Sequence, residues 1–187
     1  MDLKSDQLLD DKYGLLHTLG HGAFGEVWLA RDTVLGDHHV AIKFLTASSP
    51  EKDETFLVEM RALASLNLPG IVVFHHHFRH QKQLALVMEH CPGGSLTQRL
   101  RDKQPDDAGS WVNQVAQWTL QLCDTLAVVH ARGFVHHDIK PSNILLRDGK
   151  AVIADFGITL TADDNERTMR QGNDRFEQTK TAKGVVS

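Results

Sequence analysis

The sequence predicts an α+β protein in two lobes: a strand-rich first half with one helix, then a helical second half carrying a small hairpin. Three observations predict it. Short runs rich in β-formers and broken by Gly and Asp fill residues 13–45 and 71–89. An apolar stripe at helical spacing runs from Trp111 to Val129. Between the halves the turn residues Cys91-Pro92-Gly93-Gly94 mark a narrow connection around Glu89 to Gly94.

The elements follow in order. "YGLLHTLG", "FGEVWLARD" and "HHVAIKFL" read as strands. Ser48 or Ser49 as N-cap, Pro50 and Glu51 in the first turn, and Phe56, Met60 and Leu63 at helical spacing then predict a helix. "IVVFHHHF" and "QLALVME" are two further strands. In the second half Ser110 is the expected cap for the stripe Trp111, Val115, Trp118, Leu122, Leu126 and Val129, with Gly133 as its stop. "NILLRDGKAVIAD" predicts a β-hairpin turning at Asp148-Gly149. Beyond "DFG" the polar run to residue 187 has no periodicity and reads as a long loop.

Composition excludes several functions. The 187 residues suit one domain, and a net charge of -4 gives no basic field for nucleic acid. Two cysteines, Cys91 and Cys123, with no CxxC, support neither a disulfide framework nor a zinc site. No signal peptide or membrane-length apolar run is visible, so the expected location is the cytoplasm. The triple histidine His75-His76-His77 cannot converge on one ion, because neighbouring residues of a strand face opposite sides. An exposed strand end is expected there, with no metal.

Several motifs carry chemistry. "GHGAFGEV", residues 20–27, has the spacing G-x-G-x-x-G-x-V. A dinucleotide-binding loop shares those glycines but must open a helix, whereas "EVWLARD" alternates like a strand. A Gly-rich strand-turn-strand can lay backbone N–H groups over a polyphosphate, and on this motif alone an ordinary Gly-rich hairpin turn fits equally well. "VAIK" places Lys43 among apolar residues, and Glu59 shares the buried stripe of the predicted helix. A carboxylate facing a core needs a cation, so Lys43 and Glu59 each account for the other. "HHDIKPSN" sets Asp138 five residues before Asn143 with Lys140 between, and Asp155 follows twelve residues later. A proton-accepting aspartate, a charge-neutralising lysine and hard oxygens for a divalent cation make a phosphoryl-transfer set.

Taken together, "GHGAFGEV", "VAIK", Glu59, "HHDIKPSN" and "DFG" resemble the protein-kinase signature set. "DIKPSN" resembles the serine/threonine pattern of bacterial-type kinases. The resemblance implies a two-lobed kinase fold: a leader over residues 1–12, an N-lobe over 13–89, a hinge over 90–94 and an incomplete C-lobe over 95–187 ending in an activation segment. It implies that Lys43 holds the α- and β-phosphates of ATP, oriented by Glu59. Asp138 is then the catalytic base, Lys140 sits beside the γ-phosphate, and Asn143 and Asp155 bind Mg²⁺. The glycine-rich turn, Leu19, Gly20, Gly22 and Gly25, covers the nucleotide. Val27, Ala41 and Leu145 sandwich adenine, Glu89 and Cys91 offer it backbone groups, and Met88 guards the pocket behind. Leu63, His136 and Phe156 form an internal spine.

Two features depart from the family. His137 stands where an Arg that pairs with a phosphorylated activation loop is usual, and an imidazole lacks that bidentate fork. Activity less dependent on loop phosphorylation is therefore expected. The sequence also stops 32 residues after Asp155, before an "APE"-type motif, so a fragment or truncated reading frame is expected. Thr179, Thr181 and Ser187 are candidate phosphosites. Protein substrates bearing Ser or Thr are the implied partners; the oligomeric state and a membrane anchor beyond Ser187 stay open. Two alternatives remain, an inactive nucleotide-binding pseudokinase-like module and a small-molecule phosphotransferase, the latter weakened by Lys140 and Pro141.

Overall fold

The computed structural model describes residues 3–22, 25–36, 38–46, 49–102 and 108–156. The chain divides into two compact units, one of residues 1–68 with 72–92, the other of 69–71 with the chain from 93 onward.

The first unit is a mostly antiparallel β structure with one helix. In chain order it holds β1 (Leu8–Leu9), β2 (Tyr13–Gly22), β3 (Gly25–Asp32), β4 (His38–Leu45), α1 (Pro50–Ala64), β5 (Phe74–His80) and β6 (Gln83–Glu89). The six strands form one antiparallel sheet in the order β1-β2-β3-β4-β6-β5. Alternation sorts its residues onto two faces. Trp28, Ala30, Val40, Ile42, Phe44, Ala85 and Val87 join Leu9, Tyr13, Leu15 and Phe78 in the core. The register pairs Val27 with Lys43, Leu29 with Ala41, Lys43 with Leu86 and Ala41 with Met88 on the other face. The residues before Tyr13 also belong to this unit. Leu9 is 2% exposed, Leu3 packs on the core, and the Asp6 amide donates to the Leu15 carbonyl at 2.8 Å.

The triple histidine is split as alternation requires, with a register shift between Phe74 and His76. His76 lies against Tyr13, and the His75 ring meets His38 at 6.3 Å between centroids. His75 is exposed, as expected, whereas His76 and His77 are half-buried, because they lie at the start of β5, the edge strand of the sheet, and not at a free strand end.

The second unit contains α2 (Leu96–Arg101), α3 (Ala108–Ala131), a 3-10 turn (Pro141–Asn143) and the hairpin β7 (Ile144–Arg147)–β8 (Lys150–Ile153). Asp148 and Gly149 turn the hairpin with φ of 51° and 75°, the paired positive φ values of a two-residue hairpin turn. Trp118, Ile144, Leu146 and Ala151 form the core of this unit, with Leu96, Trp111, Val115 and Leu122 around them. Several boundaries differ from the sequence reading: β2 runs on to Gly22 and β5 covers Phe74–His80. Ile71 is not in β5; it forms an isolated parallel bridge with Ile153, and the Ile153 amide donates to the Gly70 carbonyl at 2.8 Å. The helix α3 starts at Ala108, ahead of Ser110. No helix among the described residues is long and apolar enough to cross a membrane.

Candidate active site

In the first unit the glycine-rich turn joins β2 to β3, and Gly22 pairs with Gly25. Residues 23 and 24 lie outside the described residues. Gly25 has φ +132°, and a Cβ there would overlap the Phe44 carbonyl oxygen, so only glycine fits. Beyond the turn, Val27, Ala41, Lys43 and Met88 share one sheet face, with Leu19 37% exposed on β2. Lys43 is 8% exposed, which a cation tolerates only with compensating polar partners. The backbone of Glu59 is in α1, but its side chain lies outside the described residues, and with it the expected Lys43–Glu59 pair. At the end of β6, Glu89 clasps residue 73 twice: its Oε1 accepts from the Val73 amide at 2.8 Å, and its amide donates to the Val73 carbonyl at 2.9 Å. Cys91 follows, 6% exposed.

In the second unit the loop from His136 to Asn143 gathers the polar groups picked out by sequence. His136 is 1% exposed, and both ring nitrogens are used. Nε2 lies 3.0 Å from the Ala154 carbonyl, and the Asp138 amide donates to Nδ1 at 3.2 Å. That pair of partners fixes the neutral tautomer with the proton on Nε2. Burial, the largest cause, pushes the His136 imidazole below its ordinary pKa despite the favourable Ala154 carbonyl. The Asp138 amide also donates to the His136 carbonyl at 2.9 Å, while His137 between them has φ +62°. This is a γ-turn of the rare positive-φ kind, centred on an exposed imidazole.

The turn delivers the Asp138 carboxylate to two donors on one oxygen. Oδ2 accepts from Lys140 Nζ at 2.7 Å and from Asn143 Nδ2 at 2.9 Å. The same Nδ2 donates to the Asp138 carbonyl at 2.9 Å, so one amide holds both ends of the residue. Among the described residues Oδ1 takes no hydrogen bond, leaving one acceptor oxygen available. The Lys140 hydrogen bond first, and the Asn143 amide after it, hold the carboxyl below its ordinary pKa. Asp138 is thus an anion at neutral pH.

Asn143 and Asp155 are brought together by the hairpin. Asn143 is 6% exposed in the 3-10 turn, and its carbonyl accepts from the Ala154 amide at 2.8 Å. Asp155 follows at once, with φ +51°. The Asn143 Oδ1 accepts only the Ser142 hydroxyl at 3.3 Å among the described residues. A carboxylate and an amide oxygen are hard donors that suit Mg²⁺ shared with phosphates and water, so the residues fit that ion. Phe156 packs on His136 with ring centroids 4.5 Å apart, whereas Leu63 belongs to the first unit. Leu145 is in β7, bridged to Ser95. Thr179, Thr181 and Ser187 lie outside the described residues. The double hold on the His136 ring and the γ-turn at His137 depend on local backbone geometry and have no sequence signal.

The second unit holds a loop that gathers a carboxylate, a lysine and an amide, followed by Asp155 after the hairpin, and the first unit carries a glycine-rich turn between β2 and β3. The family description "Protein kinase domain" matches residues 13–179, and the chain belongs to that family. The chain is 35% identical over 151 residues to the serine/threonine-protein kinase Nek1 of Mus musculus, covering 79% of this chain and 12% of that protein. It is 34% identical over 157 residues to the Aurora/IPL1-related protein kinase 2 of Caenorhabditis elegans, covering 80% of this chain and 48% of that protein. The kinase domain of Mycobacterium tuberculosis PknI superposes with a TM-score of 0.69 at 29% identity, covering 86% of this chain and 64% of that one. The α+β, two-unit kinase fold follows from these likenesses. The chain spans less than half the length of the two curated relatives.

Proposed function

We propose that this protein is an ATP- and Mg²⁺-dependent serine/threonine protein kinase acting in the cytoplasm. The observation that carries the reading is the Asp138 carboxylate, anchored through Oδ2 by Lys140 and Asn143 with Oδ1 left to accept. Oδ1 orients the hydroxyl of a Ser or Thr side chain and takes its proton. Its lowered pKa makes Asp138 a weak base, so the proton moves late, after the oxygen–phosphorus bond has begun to form. Lys140 offsets charge on the transferred phosphoryl group. Positioning and charge neutralisation carry the rate.

Lys43, oriented by Glu59, holds the α- and β-phosphates, and the turn through Gly20, Gly22 and Gly25 lies over them. Val27, Ala41 and Leu145 enclose adenine; Leu19 borders it, Met88 closes its rear, and Glu89 and Cys91 meet its edge through backbone groups. Asn143 and Asp155 hold Mg²⁺, which neutralises phosphate charge when bound. On this reading the N-lobe is residues 13–89, preceded by a leader over 1–12, the hinge 90–94 and the C-lobe the chain from 95 onward. His137 in place of Arg makes activity weakly dependent on activation-loop phosphorylation.

Phosphorylation of a generic basic protein by ATP and Mg²⁺, compared with Asp138→Ala, tests the proposal. Transfer by the wild type and its loss in the variant are expected. Nucleotide binding with no transfer in either protein overturns it in favour of a binding module.

A further inference from the structure

Helix α1 meets the sheet through two unlike contacts. One is apolar: Leu57, 3% exposed, packs with Leu84 and Leu86 of β6, and Phe56, Leu45 and Phe74 close around them. The other is ionic and lies one turn earlier. Asp53 sits in the first turn of α1, its amide donating to the Ser49 carbonyl at 3.0 Å, and its carboxylate is only 5% exposed. Arg79 of β5 reaches it at 2.8 Å. Strand alternation explains the reach: His76 and Phe78 point to Tyr13 in the core, so His77 and Arg79 face α1. His77 accordingly feels Arg61 and Glu54 of α1.

The two contacts differ in what they fix. Apolar burial is non-directional, so Leu57 tolerates sliding over Leu84 and Leu86. A dehydrated carboxylate is stable only with its cation in contact, so Asp53 holds the helix at one register. Glu59 lies six residues further along the same rigid helix, a rise of about 9 Å. We infer that Asp53 and Arg79 are positioning residues: their ion pair sets the register of α1 on the sheet and thereby places Glu59 for Lys43. The catalytic half of this inference rests on the kinase reading of Lys43 and Glu59. Arg61 and Glu54, both on α1, lie 4.0 Å apart with side chains 55% and 69% exposed, and that pair does not bear on docking.

The test compares Asp53→Asn, Arg79→Gln, Arg79→Lys and the control Arg61→Gln by amide hydrogen exchange and phosphoryl-transfer kinetics. Asp53→Asn and Arg79→Gln are expected to speed exchange over residues 50–64 roughly tenfold while β2 to β4 keep their protection. They are expected to lower kcat roughly tenfold with KM for ATP within about twofold, since alignment rather than affinity is lost. Arg79→Lys retains the contacting charge and most of the rate, and Arg61→Gln behaves as wild type. The inference is overturned by unchanged exchange over 50–64, by a change spread evenly through the sheet, or by faster exchange with kcat unmoved. A wild type that transfers no phosphate sinks the kinase reading instead, and the exchange result alone then decides whether the pair holds α1.

Discussion

Replacing His136 by Leu keeps a side chain of similar bulk and deletes both ring nitrogens. In the second unit those nitrogens serve the Ala154 carbonyl at 3.0 Å and the Asp138 amide at 3.2 Å. Ala154 is 8% exposed, so its carbonyl loses its partner in a place that water reaches poorly. An orphaned buried acceptor costs about 1–3 kcal/mol. The Asp138 amide keeps its bond to the His136 backbone carbonyl, so the γ-turn itself is retained. Urea denaturation read by tryptophan fluorescence is expected to show a loss of about 1–3 kcal/mol with an unchanged m-value. His136→Gln, which can present a donor to Ala154, should recover part of it. A loss below about 0.5 kcal/mol in the Leu variant, within the range of ordinary surface changes, would refute the claim that this imidazole is a structural tie.

Three further outcomes are expected. Trp118 is 4% exposed, donates from Nε1 to the Gly149 carbonyl at 2.9 Å and meets Trp111 edge-on at 5.8 Å, so Trp118→Ala should cost about 3–5 kcal/mol in urea denaturation; a loss under about 1 kcal/mol would contradict the packing described. Lys140→Met removes the main cause of the lowered Asp138 pKa, so that carboxyl should titrate higher and the acidic limb of kcat/KM move to higher pH; a limb that stays in place argues against Asp138 as the acceptor. Burial holds His75, His77, His90 and His136 below the ordinary imidazole pKa, so the unfolded chain binds their protons first and the stability they contribute is complete above pH of about 6.5 and lost as pH falls below it; a thermal midpoint that does not drop between pH of about 7.5 and about 5.5 would contradict this.

Much of the fold was legible because periodicity and turn chemistry agreed. His38–Leu45 and Gln83–Glu89 match the strands read from "HHVAIKFL" and "QLALVME", and Asp148-Gly149 turns the hairpin as the dipeptide demands. β1 escaped because two paired residues carry no period. α2 was missed although "SLTQ" holds a signal: Ser95 accepts from the Gln98 amide while the Gln98 side chain reaches back to the Ser95 amide, a capping box. The loop chemistry was legible as residue types, since Asp138, Lys140 and Asn143 do converge. Which carboxylate oxygen takes both donors was not, because that depends on backbone φ values no side-chain pattern encodes.

That dependence gives position 137 a physical role set by its backbone. A positive φ costs any residue with a Cβ of the order of 1 kcal/mol or more, and His tolerates it better than β-branched residues do. At His137 the cost is met by its neighbours: the buried His136 ring and carbonyl both receive the Asp138 amide, and Asn143 holds Asp138 from the other side. His137 itself is exposed, so its imidazole plays no part in this network. What position 137 contributes to Asp138 is its backbone conformation; what its side chain contributes is open to whatever charge approaches from solvent. Position 137 thus serves the placement of Asp138 through its backbone, while its side chain is left to solvent.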